Sequence, residues 1–296
     1  MKVLVTGAKG QLGTQLINIL KNGIAELGEL PSKIKPCEIA AFDKSELDIT
    51  DLNTVREVLC REKPEVIINC AAYTNVDGCE TNEDLAFKIN SIGPRNLAIV
   101  SEEIGAKIVH LSTDYVFQGN GNKPYREYDS INSVSVYGKT KALGEEYVRE
   151  FSSKYFIVRT AWVYGYSGKN FVKTIIKAAK EKGHLTVVND QRGNPTNAED
   201  LAYHILKLII TEEYGIYHCS GEGECTWYDF AKAIIELSGI NCTVEPTTSE
   251  KFNSAAKRPT FSSLDNMMLR CTVGNEMRPW EEALKMFIKN FNQGLE

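Results

Sequence analysis

No stretch of this chain approaches the ~20 consecutive apolar residues of a membrane-spanning helix. The opening run Met1-Lys2-Val3-Leu4-Val5 is far too short for a signal-peptide core, so a cytoplasmic protein without membrane contact is expected. Histidine is scarce, with four residues, and none joins a cysteine in a zinc-ligand spacing. The eight cysteines contain no C-x-x-C pair, which points to buried free thiols. His218 beside Cys219 reads as strand packing, and no metal site is expected. Positive charge is not in excess: the net charge of -5 gives no general attraction to nucleic acid or to an anionic membrane. There is no internal repeat, low-complexity tract or Pro/Ser-rich linker, so one continuous core shared by any lobes is the expectation.

What remains is ordinary globular material. Hydrophobic residues at 43% and charged residues at 25%, over 296 positions, suffice for a large packed core. Short β-branched runs at 2–6, 38–42, 66–70, 107–111 and 155–159 alternate with helical patterns at 11–20, 52–61, 91–104 and 136–151. That alternation predicts βαβ units and a Rossmann-like, doubly wound parallel sheet, an α/β fold. Between the first helix and the second strand, Asn22 to Pro36 holds Gly23, Gly28, Pro31 and Pro36 and reads as a surface insertion. After about Asn170 the regularity loosens, with helices predicted near 171–182, 199–210, 227–237 and 280–290. We divide the chain into 1–165, a nucleotide-binding domain, and 166–296, mainly a substrate-binding lobe, with a soft boundary across which elements can interleave.

Directly after the first strand comes Thr6-Gly7-Ala8-Lys9-Gly10-Gln11-Leu12-Gly13. Glycines three apart permit a tight turn on which a pyrophosphate meets free N–H groups at a helix N-terminus. Gly7, Gly10, Gln11, Leu12 and Gly13 are therefore candidate cofactor contacts. Asp43 ends the second strand, where a carboxylate accepts from the adenosine ribose and favours NADH. Lys44 next to it could neutralise a 2′-phosphate, so use of NADPH as well as NADH is expected. Asp48 and Ile49 lie where the adenine amino group would be met. Ala71, Ala72 and Tyr73 follow the third strand, where small residues let the backbone run close beneath a ligand.

Tyr137 and Lys141 are four residues apart on one predicted helix and so share a face. Ketone reduction places negative charge on oxygen, which a phenol can protonate. An ammonium nearby should lower the phenol's pKa, and Lys141 is expected to do so while holding the nicotinamide ribose. Upstream, Ser112-Thr113-Asp114-Tyr115 follows the fourth strand, at the sheet end where active-site groups collect.

Taken together, these residues resemble the extended short-chain dehydrogenase/reductase family, which pairs a Ser or Thr with Tyr-x-x-x-Lys. More narrowly, the stretches 71–77, 112–117, 136–141, 159–164 and 189–196 resemble its dTDP-4-dehydrorhamnose reductase branch. Arg258-Pro259, Ser263-Leu264-Asp265 and Met277-Arg278-Pro279-Trp280 extend the similarity almost to the end. The resemblance implies NADPH- or NADH-dependent reduction of the C4 ketone of a dTDP-linked sugar in the last step of dTDP-rhamnose formation. It assigns Thr113 as hydroxyl partner, Tyr137 as acid and Lys141 as activator, and places Asp114, Tyr115 and Trp162 near the sugar and Arg258 near its diphosphate. Some members bind Mg²⁺ at a dimer interface through a glutamate where this chain has Gln15, although Glu199 is present. An amide is a poorer ligand for a hard cation, so a metal-linked dimer is not expected and the protein is read as a monomer or plain homodimer. Two alternatives stay open: a non-catalytic regulatory subunit similar to the beta subunit of methionine adenosyltransferase, and a nucleotide-sugar epimerase or dehydratase of the same superfamily.

Overall fold

The computed structural model describes residues 1–251 and 254–294. Six strands form the central sheet: β1 Lys2–Thr6, β2 Glu38–Phe42, β3 Val66–Asn69, β4 Lys107–Thr113, β5 Tyr155–Thr160 and β6 Gly215–His218. They are all parallel and run in the order β2-β1-β3-β4-β5-β6. Eight longer helices flank the sheet or build the second lobe: α1 Gln11–Asn22, α2 Leu52–Glu62, α3 Gly93–Ile104, α4 Val136–Phe151, α5 Phe171–Lys182, α6 Ala198–Ile209, α7 Trp227–Ser238 and α8 Trp280–Asn292. The order reverses at β1, with β2 on one side and β3 on the other. Connections therefore diverge there and open a crevice beyond the strands' carboxyl ends.

The strands are apolar on both faces because helices cover both. Along β1, Val3 and Val5 turn toward a cluster with Leu16 and Ile19 of α1 and Leu201 and Ile205 of α6. Leu4 turns the other way, toward Val55, Val58 and Leu59 of α2 and Leu97 of α3. The same alternation repeats in β3 and β4 and yields near-continuous hydrophobic runs, the mark of a doubly covered parallel sheet.

The expectation of one shared core is corrected. Val172 and Ile176 of α5, Phe230 and Ile234 of α7 and Leu284 and Phe287 of α8 form a cluster of their own, joined by Tyr164 from the short strand Val163–Tyr164. Beside it, His184–Val188 and Thr243–Thr247 pair as a two-stranded parallel ribbon. Amphipathic helices that face one another bury a stripe without needing the sheet. By contrast α6 and β6, within the same half of the sequence, return to the sheet and pack on α1 and β5. The 22–36 stretch is likewise more than an insertion: Ala25, Leu30 and Ile34 are buried against α1 and α6. Of the thiols, Cys79, Cys219 and Cys225 are buried as expected, Cys37, Cys70 and Cys242 are partly buried, and Cys60 and Cys271 are exposed.

Candidate active site

The chain leaves β1 in a turn that only glycine fits. Gly7 has φ +64°, and a Cβ there would lie 2.8 Å from the Ala71 nitrogen. At Gly13 a Cβ would stand 2.3 Å from the Gly7 carbonyl oxygen, inside any van der Waals contact. The turn can therefore be close only because both side chains are missing. Gly10 caps α1 with no side-chain cap hydrogen bond among the described residues, so the first-turn N–H groups face the crevice. This cradle, open at a helix N-terminus, fits the pyrophosphate of a dinucleotide.

A cleft of about 560 Å³ extends from that turn along the carboxyl ends of β1, β3, β4 and β5. It brings together Gly10, Gln11, Leu12, Gly13, Ala72, Thr113, Asp114, Tyr115, Tyr137, Lys141 and Trp162 from the predicted set. The start of α4 is fixed tightly. Ser135 accepts from the Gly138 N–H at 3.2 Å, and the Val136 N–H donates to Glu80 at 2.8 Å. A Cβ at Gly138 would come within 2.1 Å of the Tyr115 carbonyl oxygen, so its absence lets α4 press onto the loop after β4. As a result the Tyr137 ring meets that of Tyr115 edge-on at 5.5 Å between centroids.

Thr113 Oγ1 donates to Asp114 Oδ1 at 2.9 Å and accepts from the Tyr115 N–H at 3.2 Å, and it lines the cleft together with Tyr137. Asp114 is buried and its Oδ2 has no partner among the described residues. Burial raises its carboxyl to about 6, against the lowering effect of bonds from Ser262 and Thr113. Burial likewise drives the Tyr137 phenol well above its ordinary value, and the neighbouring Thr113 hydroxyl offsets this only in part. The lysine effect anticipated from the spacing is thus absent in this arrangement. The Lys141 ammonium turns away to donate to the Leu111 carbonyl and approaches His110 Nε2 at 3.5 Å, and burial lowers it to about 8. A buried amine seeks the nearest acceptor, and the β4 backbone supplies one.

Other candidates lie outside the cleft. Gly7, Ala71 and Tyr73 support it from below, Tyr73 through a paired exchange with the Asn90 amide at 2.8 and 3.1 Å. Asp43 is paired with Lys9 from the Gly-rich turn rather than with Lys44, and that ammonium holds its carboxyl down at about 2. Asp48 Oδ1 is taken by the N–H and hydroxyl of Thr50, and Ile49 is buried in the core, leaving only its backbone for a ligand. Arg258 is not among the residues that line the cleft; it is ion-paired with Asp77 at 2.9 Å, beside the lining residues Val76 and Tyr115. Gln15 donates to the Glu199 carboxylate, whose other oxygen accepts from the Glu26 N–H at 2.9 Å. Burial raises Glu199 to about 7. Among the described residues no group of three His, Cys, Asp or Glu side chains could hold a metal ion.

Several lining residues escape a reading of the sequence. Lys9 was legible in principle, inside the Gly-rich motif itself. Lys169 and Trp227 carry no local signal: they come from the loop before α5 and the first residue of α7, and only the folded lobe carries them to the cleft. Ser112 also lines it, but its hydroxyl donates to Glu145 at 2.5 Å. Glu145 is in turn clamped by the buried Arg159 at 2.7 Å.

A doubly wound parallel sheet, a Gly-rich turn at its switch point and a Thr, Tyr and Lys set in the adjoining cleft define the nicotinamide-dependent short-chain dehydrogenase/reductase class. Comparison with known proteins narrows this. The chain matches the RmlD substrate binding domain family over residues 1–293, and it belongs to that family. It is 42% identical to the spore coat polysaccharide biosynthesis protein SpsK of Bacillus subtilis, covering 97% of each chain. The crystal structure of a dTDP-4-dehydrorhamnose reductase from Clostridium acetobutylicum superposes with a TM-score of 0.93 at 47% identity, covering 99% of this chain and 100% of that one. The dTDP-4-dehydrorhamnose reductase of Bacillus anthracis, solved in complex with NADP, gives a TM-score of 0.91 at 44% identity, over 98% and 99% of the two chains. No helix among the described residues is long and apolar enough to cross a membrane.

Proposed function

We propose that this protein reduces the C4 ketone of dTDP-4-dehydro-β-L-rhamnose to dTDP-L-rhamnose with NADPH or NADH, in the cytoplasm, as a monomer or plain homodimer. The observation that carries the reading is the convergence of Thr113, Tyr137 and Lys141 in the cleft that begins at the Gly-rich turn. Residues 1–165 hold the cofactor and catalytic groups, and residues 166–296 mainly hold the sugar nucleotide.

Gly7, Gly10, Gln11, Leu12 and Gly13 seat the pyrophosphate, Asp43 with Lys9 meets the adenosine ribose, and the loop at Ala71 and Ala72 runs beneath. When bound, the reduced nicotinamide supplies a hydride. Thr113 and Tyr137 hold the substrate carbonyl between two hydroxyls, and as charge develops on that oxygen Tyr137 gives up its proton. A phenol with a raised pKa is a poor donor to a neutral ketone but adequate for an alkoxide, so transfer is driven late, once the oxygen is strongly basic. Lys141, lowered by burial to about 8, is held by the Leu111 carbonyl and steadies the phenolate that remains only by turning back toward Tyr137. Asp114 presents its free Oδ2 to a sugar hydroxyl, Tyr115 borders the same space, and Trp162 offers an apolar face to the ring. Arg258 reaches the substrate diphosphate only by leaving Asp77, whereas Lys169 already borders the cleft.

The test supplies purified protein, dTDP-4-dehydrorhamnose and either cofactor. Loss of reduced-nicotinamide absorbance in step with formation of a 4-hydroxy sugar is expected. No loss would remove the reading and favour a regulatory subunit, whereas turnover without net cofactor consumption would point to an epimerase or dehydratase.

A further inference from the structure

His110 sits in the middle of β4, fully buried, in a run that is otherwise Ile, Val and Leu. The mechanism above does not use it. A buried polar side chain in a strand needs partners, and its partners form a line into the active site. Thr6 Oγ1 donates to Asn69 Oδ1 at 2.7 Å, the Asn69 amide faces His110 Nδ1 at 3.2 Å, and His110 Nε2 faces Lys141 Nζ at 3.5 Å.

The orientation of Asn69 is fixed independently of the histidine. Its Oδ1 also accepts from the Ala71 N–H at 3.2 Å, and an N–H can only donate. The amide nitrogen is therefore the group that points at His110, and it too can only donate. Nδ1 must then accept, which places the imidazole proton on Nε2, directed at the lysine nitrogen. The ring stays neutral, since burial, with the Lys141 charge beside it, holds its pKa well below the ordinary value. An N–H aimed at an amine is a good match when that amine has its lone pair and a poor one when it is an ammonium.

We infer that His110 is a positioning residue for Lys141: locked in one tautomer by Asn69, it turns an N–H toward the lysine nitrogen and so favours the neutral amine over the ammonium. Other groups facing Lys141 push the opposite way. Glu145, one turn on along α4, favours the charged form and the Leu111 carbonyl accepts from it, whereas Cys70 just after β3 stays a neutral thiol because burial pushes it up to about 12. Glu145 is largely engaged by Arg159 and Ser112. The balance leaves Lys141 at about 8, well below an ordinary lysine.

This inference deepens the proposed reductase reading and rests on it for its purpose, but not for its test. The Lys141 ammonium can be followed without substrate by NMR of ¹⁵Nζ-labelled lysine across pH, its signal identified by its loss in Lys141→Met. Two variants change the histidine's role differently. His110→Gln brings an amide oxygen to the Nε2 position without adding charge. Asn69→Asp keeps the acceptor for Thr6 and Ala71 but draws the imidazole proton to Nδ1, so that Nε2 accepts from the lysine. Both should raise the Lys141 titration by about one pH unit or more, a tenfold change in proton affinity. The basic limb of the kcat/KM profile should move up with it.

A His110→Gln protein whose Lys141 titrates with the wild type overturns the inference, even if Asn69→Asp shifts it, because charge alone would then explain that shift. Should His110→Gln not fold, Asn69→Asp is compared with an Asn69→Asp/His110→Phe double variant. Equal shifts in those two proteins would likewise overturn it. A protein that shows the expected titrations but no turnover would fail the reductase reading alone.

Discussion

The indole of Trp162 lies on that of Trp227, with ring centroids 3.6 Å apart and planes 8° from parallel. Trp162 follows β5 and Trp227 opens α7, so the stack bridges the sheet and the second lobe at the wall of the cleft. Trp162 reaches it from a backbone at φ +47°, a conformation unfavourable for so bulky a residue. Such strain persists where the surroundings impose it, and here Trp227 on one face and Gly193 against the ring leave no other place for the indole. Trp227→Ala should therefore free Trp162 and weaken the sugar site. The KM for the sugar nucleotide is expected to rise about fivefold, in line with losing an aromatic stack of about 1 kcal/mol. The KM for the cofactor should stay fixed, and steady-state kinetics with each substrate varied in turn would check the split.

Tyr137→Phe removes the hydroxyl and little else. The turnover rate should fall by roughly 10²- to 10⁴-fold, the usual share of a general acid, while cofactor affinity by fluorescence titration is nearly unchanged. A mutant with wild-type turnover would show that another group supplies the proton.

Asp114 makes stability depend on pH in a direction opposite to most carboxylates. Its folded value of about 6 lies above the ordinary 3.8. Between those two pH values the folded protein keeps a proton that the unfolded chain has released, so stability falls as pH rises from about 4 to 6. Above that range the full cost is present, at most about 3 kcal/mol for a shift of this size. Asp114→Asn should accordingly stabilise the protein at pH 8 and do almost nothing at pH 4, as measured by urea denaturation at both. Equal effects at the two pH values would contradict the argument.

Lys9, rather than Lys44, is placed to answer a 2′-phosphate, because it already reaches the Asp43 carboxylate from the Gly-rich turn. Lys9→Ala should lower kcat/KM for NADPH about tenfold, the scale of one charge-assisted contact, and leave NADH use intact. Lys44→Ala should alter neither. The reverse pattern would restore the assignment read from the sequence.

Behind the site, Arg159 and Glu145 form a bidentate pair with each side chain only 3% exposed. Glu145→Gln would strand a buried guanidinium, with an expected loss of about 3–5 kcal/mol in denaturation. The double variant Glu145→Gln/Arg159→Met should recover much of that loss, since no unpaired charge then remains.

Five of the six sheet strands were legible because a doubly covered parallel strand writes its burial as an unbroken apolar run, as in Val66–Asn69. The sixth, Gly215–His218, is short and contains Tyr and His, and its neighbour β5 lies more than fifty residues earlier in the sequence. Helices such as Phe171–Lys182 were legible to the residue, since Asn170 caps one end and Gly183 terminates the other. The cleft was half visible. Motif residues on the ends of β1, β4 and α4 could be named, whereas Lys169 and Trp227 could not.

What the amino-acid sequence determined by itself is the local chemistry: where strands and helices begin, that Gly7 and Gly13 permit a close turn, and that Tyr137 and Lys141 share a helical face. These follow from periodicity and backbone sterics, which act over a few residues. Which way a charge points was decided only by the tertiary structure. Lys141 turns to Leu111 and His110 instead of Tyr137, Lys9 pairs with Asp43 in place of Lys44, and Arg258 is held by Asp77. Such choices depend on the acceptors that distant segments bring within about 3 Å and on how far each site excludes water. Spacing along the chain carries neither quantity.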